Sequence, residues 1–201
     1  MTATALGRNN EGSLYFLGEE VSMLAVLFVV LAVATRFLPF LLGYTPVWNF
    51  TPVGAALLFF GAKHSRKHMW LPLLLLAASD VILNRFVYSF PITWETFVST
   101  GWYAVALLLG TLLKDKVSPL RVVGASLASS VSFFVISNFA VWLAYNMYPH
   151  NLAGLGACYV AAIPFARGTF AADMIYALAI FGAPVVFEAL QRQFARRQVI
   201  A

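Results

Sequence analysis

The side chains of this chain that can do chemistry lie inside apolar sequence, where they are expensive to keep. Asp80 sits well within LPLLLLAASDVILNR, residues 71–85, and Asn84 follows one helical turn later. An aspartate near the centre of a membrane helix costs about 2.5 to 3.5 kcal/mol on insertion scales, so such a residue faces a protein interior or a water cavity and marks a ligand or ion path. Asn138 and Trp142 stand four apart in a second apolar run, and Asp173 and Tyr176 three apart in a third. Either spacing puts the pair on one helix face. Arg36 and Arg167 flank apolar segments, and Asn49 and Thr51 precede Pro52, where a helix can begin with Thr51 as cap and Pro52 in its first position.

These types suggest binding chemistry. The N–H groups of a helix opening at Pro52, together with Arg36 and Arg167, favour anionic groups on a ligand. Asp80 and Asp173 favour cations or hydrogen-bond donors, while Trp142, Phe165 and Tyr176 offer faces for a planar ring. The expected substrate-binding set is therefore Arg36, Asn49, Thr51, Asp80, Asn84, Asn138, Trp142, Arg167, Asp173 and Tyr176. It suits a mid-sized polar organic molecule, such as a vitamin or its precursor, better than a bare ion. Structural roles compete: Asp80 can pair with Arg36 or Arg85, Asp173 can simply sit in a first helical turn, and Asn138 can bond a neighbouring helix.

Catalytic patterns are missing. Gly124-Ala-Ser126-Leu-Ala128 lacks the second glycine of a GxSxG-like turn, and His150 falls in a loop. Asp80 follows Ser79 and Asp173 follows Ala172, unlike the YD and GxGD settings of intramembrane aspartyl proteases. No enzyme is expected. His64 and His68 have the spacing of a metal pair but sit in a basic loop without a nearby carboxylate or thiol, so neither metal nor cofactor is expected.

The elements that position these residues follow from composition. The chain has 201 residues, 61% hydrophobic and 10% charged, with a mean hydropathy of +0.82. Such values lie outside the range of soluble domains. At about 20 apolar residues per span there is room for roughly six spans and no sizeable soluble domain. The expected fold is an all-α, six-span bundle, with spans near 21–38, 45–62, 69–86, 95–113, 120–145 and 169–190. The second span is short or broken, because a helix over 52–62 rises only about 16 Å against a hydrocarbon core of about 30 Å. Non-helical backbone at that depth requires protein or a water-filled cavity around it. An extra interfacial helix, 152–163, is expected between spans five and six. Span five carries a stripe of small residues from Gly124 to Ser132 suited to close packing.

The domain reading is a polar cytoplasmic segment over 1–20, a six-span domain over 21–191 and a basic cytoplasmic tail over 192–201. Ala32-Val33-Ala34 resembles a signal-peptide cleavage site, but Arg8 is outweighed by Glu11, Glu19 and Glu20 before it, so a retained first helix is expected. Ten of the thirteen Lys and Arg residues fall on one side of this topology, all but Arg36, Arg85 and Arg167. The positive-inside rule then places both termini in the cytoplasm, and counting depth puts the polar residues in the outer half as an outward-facing pocket. The basic clusters read as topology and contact with the lipid bilayer rather than as a nucleic-acid surface. The single Cys158 permits no internal disulfide. Trp48, Trp94, Trp102, Tyr148 and Tyr159 are candidates for an interfacial aromatic belt.

The stretches RFLPFLLGYTPVWNFTPVGAALLFFGA, PLLLLAASD, RVVGASLASSVSFFVISNFAVWL and YPHNLAGLGACYVAAIPFARGTFAADM look like a family of small bacterial membrane proteins known only as putative transport proteins. Six short spans, cytoplasmic termini and an outward pocket also resemble the substrate-binding S components of energy-coupling factor (ECF) transporters. That resemblance implies residence in the bacterial inner membrane and uptake of a vitamin-like micronutrient, with cobalamin one candidate. It also implies an ECF energising module as partner, although the AxxxA-type face of the first helix is absent: Val29 follows Ala25, and Arg36 follows Ala32. The alternative from another class is a non-transporting membrane scaffold or assembly factor, with an intramembrane enzyme the weakest.

Overall fold

The computed structural model describes residues 3–43 and 50–200, and all regular structure among them is helical. Six α-helices follow in order: α1 (Ala3–Leu42), α2 (Val53–Lys63), α3 (Trp70–Ile82), α4 (Trp94–Thr111), α5 (Pro119–Ala144) and α6 (Leu152–Ile200). A 3-10 turn, Arg66–His68, leads into α3, and a π turn, Leu83–Val87, ends it. Four stretches are long and apolar enough to cross a membrane: Glu20–Leu42, Arg66–Val87, Pro119–Ala144 and Leu152–Gln191. Two further apolar helices, Val53–Lys63 and Thr96–Thr111, are shorter. The chain is thus an all-helical protein of membrane type, with four of the six expected spans reaching that length.

The bundle is built around α2. Its residues Val53 to Ala62 are all buried, as expected of a helix that is apolar on every side. It packs against α1, α4, α5 and α6. Phe59 sits edge-on to Phe28 of α1 at 5.4 Å and to Phe181 of α6 at 5.0 Å between ring centroids. Gly61 and Gly110 let α2 and α4 touch backbone to backbone; a Cβ on Gly61 would strike the Leu107 carbonyl, and one on Gly110 the Leu58 carbonyl. Large apolar side chains such as Leu27, Leu74 and Leu108 are exposed around the outside, in keeping with a lipid-facing surface.

Helix α1 already begins at Ala3 and α6 runs on to Ile200, beyond the expected spans, and three further differences from the sequence reading fall at prolines. The first span was expected to end near Leu38, but α1 runs through Pro39 to Leu42. The interfacial helix over 152–163 and span six are one helix, because α6 continues through Pro164 and Gly168. An interior proline removes one N–H and crowds the preceding turn, yet in apolar surroundings neighbouring helices and local adjustment absorb that loss. Asn151 fixes where α6 starts, its Oδ1 accepting the Gly154 N–H at 2.8 Å as an N-cap. Thr51 was expected to cap α2. Instead Pro52 occupies that position, and no side chain caps the helix.

The small-residue stripe of α5 is used within the fold. Ser126, Ser129 and Ser130 are buried, and α5 packs on α4 and α6. On α1, Ala25, Val29 and Ala32 are buried too, so the face on which an AxxxA motif was sought turns into the core. Arg36 continues that inward stripe by one further turn.

Candidate functional site

Above the start of α2 lies a cavity of about 560 Å³. Charged residues reach it from three helices: Arg36 from α1, Asp80 from α3 and Asp173 from α6. Helix spacing accounts for each. Arg36 stands four residues beyond the buried Ala32, and Asn84 follows Asp80 by four, so both face the same way. Thr169, Asp173 and Tyr176 lie at i−4, i and i+3 on α6, and all three line the cavity.

Arg36 and Asp80 form an ion pair through one guanidinium nitrogen and Asp80 Oδ1. The other terminal nitrogen of Arg36 donates to Ser79 Oγ at 2.6 Å and to the Tyr103 hydroxyl at 3.3 Å. Tyr103 in turn donates to Asp80 Oδ1 at 3.2 Å. Asp80 Oδ2 is buried and has no hydrogen-bond partner among the described residues. The structural pairing that competed with a binding role is therefore real, but it uses one carboxylate oxygen of two.

Asp173 is held differently. Its Oδ2 accepts from Ser130 Oγ of α5 at 2.6 Å, and its Oδ1 lies against the first turn of α2. A Cβ on Gly54 would come within 2.5 Å of that oxygen. A carboxylate at a helix N-terminus is stabilised by the partial positive charge of unpaired backbone N–H groups. Glycine at position 54 lets it approach. The aromatic walls are Trp102, Tyr103, Phe133, Tyr176 and Phe50, the last two in tilted contact at 5.3 Å.

Six expected site residues are thus brought together: Arg36, Thr51, Asp80, Asn84, Asp173 and Tyr176. Asn49 lies outside the described residues. Three others are elsewhere. Asn138 lines a smaller cavity of about 360 Å³ between α5 and α6, where its side-chain amide donates to the Phe134 carbonyl of its own helix at 2.8 Å. Trp142 packs against Phe139 and His150 and donates to the Pro149 carbonyl at 3.0 Å. Arg167 is exposed; six residues before Asp173, it is rotated by about 240° at 3.6 residues per turn. Phe165, expected as a stacking face, lines the smaller cavity instead.

The smaller cavity has no acid or base in its lining, yet it shares Phe133 and Thr169 with the larger one, and Ser130, on its wall, reaches Asp173. Residues that the sequence reading did not assign complete the polar site: Tyr103, Ser79 and Ser130 supply its hydrogen bonds, and Trp102 its wall. Trp102, taken as a belt residue, is buried and donates to the Ser129 carbonyl at 3.1 Å and to Ser132 Oγ at 3.2 Å. The adjacency of Trp102 and Tyr103 inside an apolar helix was the one available signal.

Residues 18–197 match the model of a family described as a family of unknown function, DUF6580. No curated protein and no solved structure matches the chain.

Proposed function

The chain belongs to that family, and we propose that it is an integral membrane solute-binding protein that takes up a small polar organic molecule of vitamin size. In this reading it spans the bacterial inner membrane six times with both termini in the cytoplasm, α2 and α4 serving as the two short spans, in an arrangement of the S-component type. The cavity opens outward and receives the solute from that side.

The observation that carries the reading is the meeting of Arg36, Asp80 and Asp173, from three separate helices, around one cavity of about 560 Å³ at the start of an enclosed half-length helix. That volume falls within the roughly 300 to 1,000 Å³ of small-molecule sites. A purely structural ion pair needs no cavity beside it, and intramembrane acids cluster where solutes or ions pass. The scaffold alternative relied on the small residues of α5, and those of them that are buried lie between helices of this chain.

Native mass spectrometry of the full chain purified in mild detergent is expected to release a bound organic molecule that is reduced in Asp80→Ala and Asp173→Ala. Absence of any such molecule, combined with no thermal stabilisation across a vitamin panel, would overturn the reading.

A further inference from the structure

Among the described residues, three charged side chains line the larger cavity, Arg36, Asp80 and Asp173, and residues 44–49 add none to the sequence there. The one cation is committed. Both terminal nitrogens of Arg36 are engaged, by Asp80, Ser79 and Tyr103, and Arg167, the other arginine expected at the site, is exposed and outside the cavity lining. Three of the five N–H donors of Arg36 are thus used, and a solute carboxylate or phosphate would have to share this arginine with Asp80.

The acids are not committed to the same degree. Ionised carboxylates offer about four acceptor sites. Asp80 uses Oδ1 twice and leaves Oδ2 buried without a donor among the described residues. Asp173 is offset by one serine hydroxyl and by the start of α2, whose partial charge is about half an elementary unit. Two carboxylates against one guanidinium and about half a unit at the start of α2 leave about half a negative charge in excess, and the acceptor without a donor among the described residues belongs to Asp80. The Cβ–Cγ torsion of an aspartate is broad, so a small turn of the carboxylate presents Oδ2 to the cavity that its side chain lines. Trp102 and Tyr176, on the same lining, provide ring faces that attract a cation.

Resting on the reading of this cavity as a solute site, we infer that its solute is an aromatic or heteroaromatic amine, bound as the cation, with the ammonium on Asp80 and the ring against Trp102 and Tyr176. Asp173, on the same lining, adds long-range attraction.

The test uses thermal unfolding of the full chain in detergent with three matched probes at one millimolar-range concentration: phenethylamine as cation, N-acetylphenethylamine as neutral analogue and 3-phenylpropionate as anion. A sodium chloride titration forms a separate arm. The amine is expected to raise Tm clearly more than either analogue. Asp80→Asn keeps an acceptor for Arg36 but removes its counter-charge, so its own Tm is expected to fall, and binding is compared on variant protein that still unfolds cooperatively. Its apparent affinity for the amine is expected to fall about tenfold or more, the loss expected for a charge-assisted hydrogen bond, while the ranking of the three probes on the wild type reads the charge preference without any variant. An equal or larger shift with the neutral or anionic probe overturns the charge assignment and leaves the solute site standing. Sodium alone giving the shift overturns it in favour of an inorganic cation, and undiminished amine binding in Asp80→Asn removes Asp80 from the contact. No shift with any probe, together with no co-purified molecule, overturns the inference and the solute-binding reading at once.

Discussion

The two ends of α2 are built on opposite principles. At its C-terminal end, Gly61 and Gly110 bring two backbones into contact, Phe60 meets His64 in a tilted contact at 4.5 Å, and His64 Nδ1 meets Ser22 Oγ at 2.5 Å. Shape closes that end. At the N-terminal end the glycine makes room for a carboxylate instead of a helix, no side chain caps the first turn, and space is left that charged groups surround. Under the proposed function, a half-length helix is useful because the other half of the span can then be a cavity, and it is the N-terminal end that offers a solute something to bind.

The harshest way to break this comparison is to remove the cation from the open end. Arg36→Ala leaves the buried Asp80 carboxylate without its ion-pair partner, and breaking a buried pair on one side costs about 3 to 5 kcal/mol. Denaturant unfolding in detergent is expected to show a loss of that size. A loss of less than about 1 kcal/mol, the level of an exposed pair, would mean that the open end is solvated and not organised by charge.

Glycine substitutions at the two ends sharpen the contrast. In Gly61→Ala the new methyl meets the backbone carbonyl of Leu107, which cannot step aside unless the helices separate. Overpacking of this kind costs about 1 to 3 kcal/mol. In Gly54→Ala the obstacle is the Asp173 carboxylate, which can swing away, so the stability loss is expected to be smaller and solute binding to suffer more. Unfolding measurements paired with amine binding read the two effects separately. The reverse pattern, with Gly54→Ala the less stable and Gly61→Ala the weaker binder, would reverse the roles assigned to the ends.

Much of the open end was legible because charge in apolar sequence is conspicuous. Arg36, Asp80 and Asp173 stood out by type alone, and Pro52 after a second proline announced a break before a short helix. Depth counting then placed residues by height but not by direction. Asn138, Trp142 and Arg167 lie on apolar helices at the height assigned to the charged groups, yet their faces turn elsewhere, and facing depends on which helices pack together. Ser79, Tyr103 and Ser130 were illegible for the same reason. Serine and tyrosine are ordinary in such helices, and only the packing of α1 and α4 on α3 and of α5 on α6 turns them into partners for Arg36, Asp80 and Asp173. Pro39 and Pro164 misled in another way, since a proline signals a helix end in water more strongly than it does in a packed apolar bundle.

The smallest expected effect comes from the closed end. Burial, and then the electrostatic effect of the neighbouring His68, hold the His64 imidazole below its ordinary value. Protonation is therefore harder in the folded chain than in the unfolded one. By linkage the stabilising contribution is present above the unfolded value of about 6.5 and is lost as pH falls through the lower folded value. Unfolding temperatures measured in steps from pH 8 to pH 5 are expected to decline slightly, and His64→Asn, which cannot be protonated, should remove that part of the decline. Amine binding by Asp80, at the other end of α2, should be the same in His64→Asn and wild type at every pH. A change in binding that follows His64 would show that the closed end transmits its charge state along the helix, and the two ends would then have to be treated as one coupled unit.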